Sequence, residues 1–206
     1  MTRLVVVSAG LSNPSSTRLL ADRLTAAVVG ELGGPGEGVD VVHVELRDLA
    51  HQLTDQLLVG FAAPELAAAQ AAVRDADGLI VVTPVFSASY SGLFKTFFDT
   101  LEQGVLDGTP VLMGATAGTA RHSLVIDHAL RPLFAYLHAV ALPTGVFAAT
   151  DDFAGPDLDL RITRAARELV GAMGVGGSAV GERRELVDDA LAAVTPFEEL
   201  LRRSRG

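Results

Sequence analysis

Short apolar runs alternate with longer segments of helical period along most of this chain. Runs rich in β-branched residues predict five strands, and their nearly continuous hydrophobicity is typical of parallel strands covered on both faces. Because strands and helices alternate with short connections, the pattern predicts an α/β fold with a doubly wound, parallel, five-stranded sheet. The predicted strands span residues 3–8, 39–46, 78–84, 109–116 and 140–148.

The segments between the strands have the 3.6-residue period of helices that pack on a sheet. Pro132 lies inside one of them and should kink or divide it, because proline lacks a backbone N–H. Arg18 and Asp22 are four residues apart on the first helix and are expected to pair. The predicted helices span residues 16–32, 64–78, 90–103 and 120–139, followed from residue 157 by two more that residues 171–182 separate.

The helix predicted over residues 90–103 carries a wide apolar stripe at i, i+3, i+4 spacing. We expect most of this stripe to pack in the core, and a subunit interface is the alternative for the remainder. Lys95 and Asp99 on the same helix can pair with each other or lie at such an interface. The stripe consists of Tyr90, Leu93, Phe94, Phe97, Phe98 and Leu101.

Composition and charge narrow the function classes. The 206 residues suit a single domain over residues 1–206, with 151–206 as a less typical helical extension. A net charge of −9 without a dense Lys/Arg block argues against nucleic acid or anionic membranes as partners. The absence of cysteine excludes disulfides, thiolate nucleophiles and Cys-ligated metals.

The remaining sequence signals favour a cytoplasmic protein without a metal site. The five histidines show no metal-ligand spacing. No apolar run is long enough for a signal peptide or a bilayer span. We therefore expect a cytoplasmic location.

The loop after the first strand, S-A-G-L-S-N-P-S-S-T, is rich in small hydroxyls and runs into a helix. Backbone N–H groups, the helix dipole and hydroxyl donors together suit a phosphate monoester. The alternative is that Ser15 or Ser16 merely caps the helix. The loop has neither the P-loop nor the G-x-G-x-x-G pattern, and the G-x-G-x-x-A match at 174–179 follows a helix, so we interpret it as a linker.

Two further loops follow neighbouring strands. Pro84 stiffens a loop that runs through Phe86 and Ser87, and Thr116 and Gly118 follow the fourth predicted strand. In a sheet of order 2-1-3-4-5 these loops face the hydroxyl loop across the point where the strand order reverses. One loop suits a phosphate and the other two an apolar planar ring, although periodicity alone leaves Rossmann-like and flavodoxin-like orders open.

The three motifs SAGLSNPSSTRLL, TPVFSASYSGLFKTFFD and ATAGTARHSLVIDHALRPLFAYLHA together resemble the NAD(P)H-dependent FMN reductases over residues 3–150. The resemblance is to the branch that supplies reduced flavin to two-component monooxygenases such as those that desulfonate alkanesulfonates. It implies a flavodoxin-like fold with strand order 2-1-3-4-5. It also implies an FMN phosphate site at Ser8, Ser15, Ser16 and Thr17, contacts to one edge of the isoalloxazine from Pro84, Val85, Phe86 and Ser87, and contacts near its N1 and O2 from Thr116, Ala117 and Gly118.

The implied reaction is hydride transfer from NADPH or NADH to FMN, with reduced flavin passing to a partner monooxygenase. The cofactor carries this chemistry, so no catalytic residue is assigned. The resemblance also implies a homodimer or homotetramer, and it places the helix of His128 near the flavin, where we hypothesise an effect on flavin retention. An FMN-bound reductase of quinones or azo compounds, a flavodoxin-like electron carrier and a flavin-free binding module remain as alternatives.

Overall fold

A computed structural model describes residues 1–33 and 38–176. The described residues form a single sheet with helices on both faces. The strands are β1 (Thr2–Ser8), β2 (Val39–Glu45), β3 (Gly78–Phe86), β4 (Ser89–Tyr90), β5 (Pro110–Ala117), β6 (Val140–Ala141) and β7 (Val146–Ala149). The helices are α1 (Ser16–Glu31), α2 (Ala50–Val59), α3 (Pro64–Arg74), α4 (Gly92–Asp99), α5 (Arg131–Tyr136) and α6 (Pro156–Gly176).

The sheet has the order β2-β1-β3-β5-β6, and all of these neighbours are parallel. The doubly wound α/β fold is therefore confirmed, but the described residues contain seven strands rather than five. Strand β4 is a short antiparallel partner of β3, and β7 also pairs with β5. If the hairpin strand β4 is left out of the count and β6 and β7 are taken as segments of one strand, the order is the expected 2-1-3-4-5.

The break between β6 and β7 has a local cause. Pro143 has no N–H for a strand ladder. The backbone N–H of Thr144 donates to the Glu168 carboxylate at 2.8 Å instead of to a neighbouring strand. These two residues divide the strand predicted over 140–148.

Several helix boundaries are set by capping residues. Ser15 caps α1, since its Oγ accepts from the Arg18 N–H at 3.2 Å. Pro64 opens α3. The helix predicted over 120–139 is divided into a 3₁₀ turn, a π-helical segment at Ile126–Leu130 and α5, with Pro132 in the first turn of α5.

Two helical features differ from the sequence prediction. Helix α2 was not predicted. Helix α6 continues through Gly176, where a separating segment was expected from residue 171. Met173 is 8% exposed and packs closely on Gly78, which holds this glycine-containing turn on the sheet. The second predicted tail helix and residues 177–179 of the G-x-G-x-x-A stretch lie outside the described residues.

The sheet is buried on both faces. One face packs against α2, α3, α4 and α5, and the other against α1 and α6. Phe94, Phe97 and Phe98 are at most 2% exposed, so these members of the aromatic stripe belong to the core as predicted. Phe98 also packs edge-on against Phe134 with ring centroids 5.0 Å apart.

Within the described residues, none of the helices on its own combines the length and apolar character of a membrane span. Helices α2 and α3 meet these criteria only as a pair and are bent by 92°.

Candidate active site

The three loops singled out in the sequence meet at the carboxyl edge of the sheet. In the strand register Ser8 lies beside Val82, and Pro84 lies beside Thr116. The ends of β1, β3 and β5 are therefore adjacent, as the parallel topology requires.

A buried hydroxyl pair joins the first of these loops to the third. The Oγ1 atoms of Thr17 and Thr116 are 2.9 Å apart, and both residues are 2% exposed. Thr17 lies in the first turn of α1, whereas Thr116 lies near the end of β5. This hydrogen bond fixes the helix N-terminus against the loop after β5.

The hydroxyl loop is tightly packed around Gly10. A Cβ atom at Gly10 would lie 2.1 Å from Ser15 Oγ, so a larger residue would displace the serine that caps α1. Ser8 is fully buried at the base of the loop, and its Oγ has no hydrogen-bond partner within residues 1–33 and 38–176. A buried hydroxyl without a partner is unusual and indicates a group that the protein alone does not supply. Ser16 is exposed in the first turn of α1.

The second loop is a two-residue β-hairpin connection. Ser87 and Ala88 have φ of 49° and 67°, a left-handed conformation in which a side chain costs about 1–2 kcal/mol per residue. Buried Thr83 holds the base of the hairpin, because its Oγ1 donates to the Pro84 carbonyl at 2.9 Å and accepts from the Ser91 N–H at 3.0 Å. Strained turns are often found at functional sites, where the surrounding structure holds them in place.

The hairpin and the third loop present a mixed apolar and backbone surface. Phe86 is 47% exposed at the hairpin, and Pro84 and Val85 are half-buried. Ala117 is half-buried and Gly118 is exposed with no atom within 4 Å of where its Cβ would lie. The open backbone at Gly118 permits close approach of a flat ligand.

A cavity of about 250 Å³ lies beside the hydroxyl loop, and its charged lining consists of two arginines, Arg18 and Arg47, and two carboxylates, Glu45 and Asp48. Arg18 Nε bonds Asp22 at 2.6 Å and its Nη1 bonds Glu45 at 2.8 Å. The Asp22 hydrogen bond, aided by the attraction of Glu45, raises the pKa of Arg18 above its ordinary value. Arg47 makes no ion pair in the part of the chain that the structure describes, so its charge is available to a ligand.

The arrangement fits a phosphate-bearing planar cofactor such as FMN. The N-terminus of α1, the exposed Ser16 hydroxyl and Arg47 suit the phosphate, and the hairpin and the loop after β5 suit a ring. The predicted residues are brought to one edge of the sheet, although Ser16 and Ser87 make no side-chain hydrogen bond among the described residues.

Sequence reasoning missed Gly10 and Arg47. Gly10 could have been found from its position two residues after a strand, where the chain must turn back so that Ser15 can cap α1. Arg47 could have been found as an isolated cation just after the second strand. Across residues 1–33 and 38–176, no group of three or more His, Asp or Glu side chains is arranged to hold a metal ion.

Comparison with known proteins defines the family. Residues 2–154 match the family described as NADPH-dependent FMN reductase, and the chain belongs to this family. It is 43% identical over 151 residues to an FMN reductase (NADPH) of Pseudomonas aeruginosa, a match that covers 73% of this chain and 78% of that protein. It is 41% identical over 152 residues to the NADH-dependent FMN reductase SfnF of Pseudomonas fluorescens, covering 74% of this chain and 79% of the relative.

Comparison with solved structures identifies the fold. An oxidoreductase from Corynebacterium diphtheriae is 49% identical with a TM-score of 0.81, over 84% of this chain and 97% of that chain. A WrbA-like flavodoxin from Agrobacterium tumefaciens is 15% identical with a TM-score of 0.59, over 84% of this chain and 98% of that chain. The fold is therefore flavodoxin-like.

Proposed function

We propose that this chain is an NAD(P)H:FMN oxidoreductase that binds FMN at the carboxyl edge of the sheet and releases it reduced. Membership of the FMN reductase family supports the reaction. The observation that supports the site is the Thr17–Thr116 hydrogen bond, because it joins the hydroxyl loop to the loop after β5.

The hydroxyl loop holds the phosphate in this proposal. The first backbone N–H groups of α1 and the Ser16 hydroxyl donate hydrogen bonds, and Ser15 keeps the helix start in place. Thr17 fixes the base of the loop through its hydrogen bond to Thr116, and the buried Ser8 hydroxyl beside it has no partner among the described residues. Arg47 supplies the positive charge that the paired Arg18 cannot supply in full.

The other two loops hold the ring. Pro84, Val85 and Phe86 give an apolar edge that excludes water, with Ser87 at the tip of the hairpin. Thr116, Ala117 and Gly118 bring backbone groups toward the region of N1 and O2, where donors stabilise negative charge. The redox chemistry is that of FMN, which accepts a hydride from a reduced nicotinamide. The protein supplies orientation and no acid, base or nucleophile.

The proposal also concerns the protein that uses the reduced FMN. We propose that reduced FMN leaves the protein and serves a flavin-dependent monooxygenase. The resemblance of the three motifs to reductases of that kind supports this, as does the wide exposure of Phe86 and Gly118. The homo-oligomer, the cytoplasmic location and the effect of His128 on flavin retention stay predictions.

Comparison of FMN with riboflavin, which lacks the phosphate, tests the site. We expect Ser16→Ala to weaken FMN binding about tenfold, because it removes a hydrogen bond to a charged group, and to leave riboflavin binding unchanged. The melting temperature should not change, since this side chain is exposed and unbonded. Thr54→Ala removes an exposed hydroxyl on α2 and serves as the matched control. Equal losses of FMN and riboflavin in Ser16→Ala would contradict the assignment of this loop to the phosphate.

A further inference from the structure

A second cavity, of about 320 Å³, lies at the ring end of the candidate site. It is bounded by Ala88 and Ser89 of the hairpin and by the segment from Arg121 to Ala129. It therefore touches the hairpin that we assign to the ring and the 3₁₀ turn Ala120–His122, which follows Gly118 of the other ring loop, and it is separate from the cavity beside the hydroxyl loop.

This cavity is lined by an arginine and two imidazoles although the chain is acidic. The net charge is −9, yet the lining contains Arg121, His122 and His128 and no carboxylate. The acidic residue nearest in sequence, Asp127, is engaged by Arg131, with Nε and Oδ1 3.2 Å apart. Arg121 thus gives this cavity a local positive potential that favours an anion, on a chain whose net charge is negative.

Arg121 is distinctive among the cations of the described residues. Of the eleven arginines and lysines in 1–33 and 38–176, nine form ion pairs with carboxylates, and Arg47 and Arg121 form none. Arg47 lies at the phosphate end of the candidate site and Arg121 at the ring end. The two uncompensated positive charges therefore flank the site.

FMN has a single phosphate, which the proposed function places at the hydroxyl loop, so no phosphate of FMN reaches Arg121. The hydride donor must stack on the ring, and its nicotinamide is linked to a pyrophosphate and, in NADPH, to a 2′-phosphate. We propose that Arg121, with His122, binds a phosphate group of the nicotinamide dinucleotide in this cavity. The inference rests on the proposed function, since it takes the ring to lie between the hairpin and the loop after β5.

Local structure prepares Arg121 for this role. Its backbone N–H donates to Thr119 Oγ1 at 3.4 Å, which anchors the short 3₁₀ turn while the side chain stays exposed. The guanidinium can form a two-pronged contact with phosphate oxygens. The imidazole of His122 supplies a further N–H donor.

The test compares Arg121→Gln with the wild type in two assays. The first is calorimetric titration of flavin-free protein with adenosine 2′,5′-bisphosphate and with ADP. The second is steady-state kinetics with NADPH and with NADH at saturating FMN. We expect the dissociation constant of at least one probe and the KM of the matching donor to rise about tenfold, with FMN affinity and kcat within about twofold.

The two donors distinguish the phosphate groups. A rise confined to adenosine 2′,5′-bisphosphate and NADPH identifies the 2′-phosphate, whereas a rise with both probes and both donors identifies the pyrophosphate. Arg121→Lys keeps the charge and should recover part of the affinity. Arg167→Gln removes a comparably exposed arginine that pairs with Glu31 on the opposite face of the sheet, and it should change neither readout.

Two results would overturn the inference. One is unchanged probe affinity and unchanged KM values in Arg121→Gln, including the case in which the wild type binds neither probe. The other is a loss of FMN affinity as large as any change in KM, because Arg121 would then serve the flavin. Failure of the wild type to oxidise either donor would contradict the proposed function, while probe binding would still decide the role of Arg121.

Discussion

Gly10→Ala tests the packing of the hydroxyl loop most sharply. The new methyl group would lie 2.1 Å from Ser15 Oγ and 3.3 Å from Thr17 Cβ. The shorter distance cannot be tolerated, so the Ser15 hydroxyl must rotate away and give up its hydrogen bond to the Arg18 N–H. The longer distance forces the loop to shift by a few tenths of an ångström.

The expected magnitudes follow from these contacts. Loss of a helix N-cap costs about 1 kcal/mol of unfolding free energy. In a domain of this size that corresponds to about 2–4 °C in melting temperature. Displacement of the first turn of α1 also misplaces donors to the phosphate. We expect the dissociation constant of FMN to rise about tenfold while that of riboflavin changes little.

Fluorescence titration with the two flavins and thermal unfolding measure both effects. Gly30→Ala is the control, because it lies near the far end of α1, the helix that Ser15 caps, and no described atom comes within 4 Å of the new Cβ. It should raise stability by up to about 1 kcal/mol and leave FMN binding unchanged. Unaltered FMN affinity in Gly10→Ala would refute the reasoning that the close contact of Gly10 with Ser15 shapes the phosphate site.

Three other changes have defined outcomes. Thr116→Val leaves Thr17 Oγ1 buried without its partner and should cost about 1–3 kcal/mol in urea unfolding, and the double variant with Thr17→Val should cost less than the sum of the single changes. Glu168→Gln should lower stability at pH 7 but have less effect below pH 4.5, and an equal loss at both pH values would contradict a role for the carboxylate charge. Ala88→Gly should raise the unfolding free energy by about 1 kcal/mol, since it relieves a φ of 67°, and a decrease would show that the hairpin turn is unstrained.

The sign of the Glu168 prediction follows from its surroundings. Burial acts to raise the pKa of this carboxyl, but hydrogen bonds from the Thr144 hydroxyl and backbone N–H, together with Arg164, lower it overall below the ordinary 4.5. A carboxyl whose pKa is lowered by folding stabilises the protein above its ordinary pKa. This contribution is lost as the pH falls through the lowered value.

The fold was predictable where the hydrophobic pattern is strong. The runs that form β1, β3 and β5 are nearly continuous, so these strands and their parallel arrangement follow from burial on both faces, whereas the strand order was implied only by the family resemblance. The hairpin strand β4 was missed because Ser87-Ala88 is not one of the glycine or asparagine pairs that usually form such a turn. The break at Pro143 and Thr144 depends on Glu168 of α6, a tertiary contact that a local pattern does not contain.

The sequence predicted where in the fold the site lies, but not the side-chain contacts within it. Parallel topology brings the loops after β1, β3 and β5 to one edge, which is why a general rule on strand ends located them. The Thr17–Thr116 pair depends on the register between distant elements, 99 residues apart in sequence. Arg47 and Arg121 can be recognised as candidate ligand-binding residues only because the other described cations form ion pairs. This pairing is a property of the folded surface and is not visible in the sequence.

The proposed function rests on FMN as the electron acceptor of a nicotinamide-dependent reductase. Its most direct test is the initial rate of NADPH oxidation by the purified full-length chain as free FMN is raised from zero to saturation, repeated with NADH. We expect a rate near zero without FMN and a hyperbolic rise to a plateau as FMN is added. Absence of oxidation at every FMN concentration with both donors would contradict it, and a flavin-containing protein whose rate ignores added FMN would contradict the release of reduced flavin.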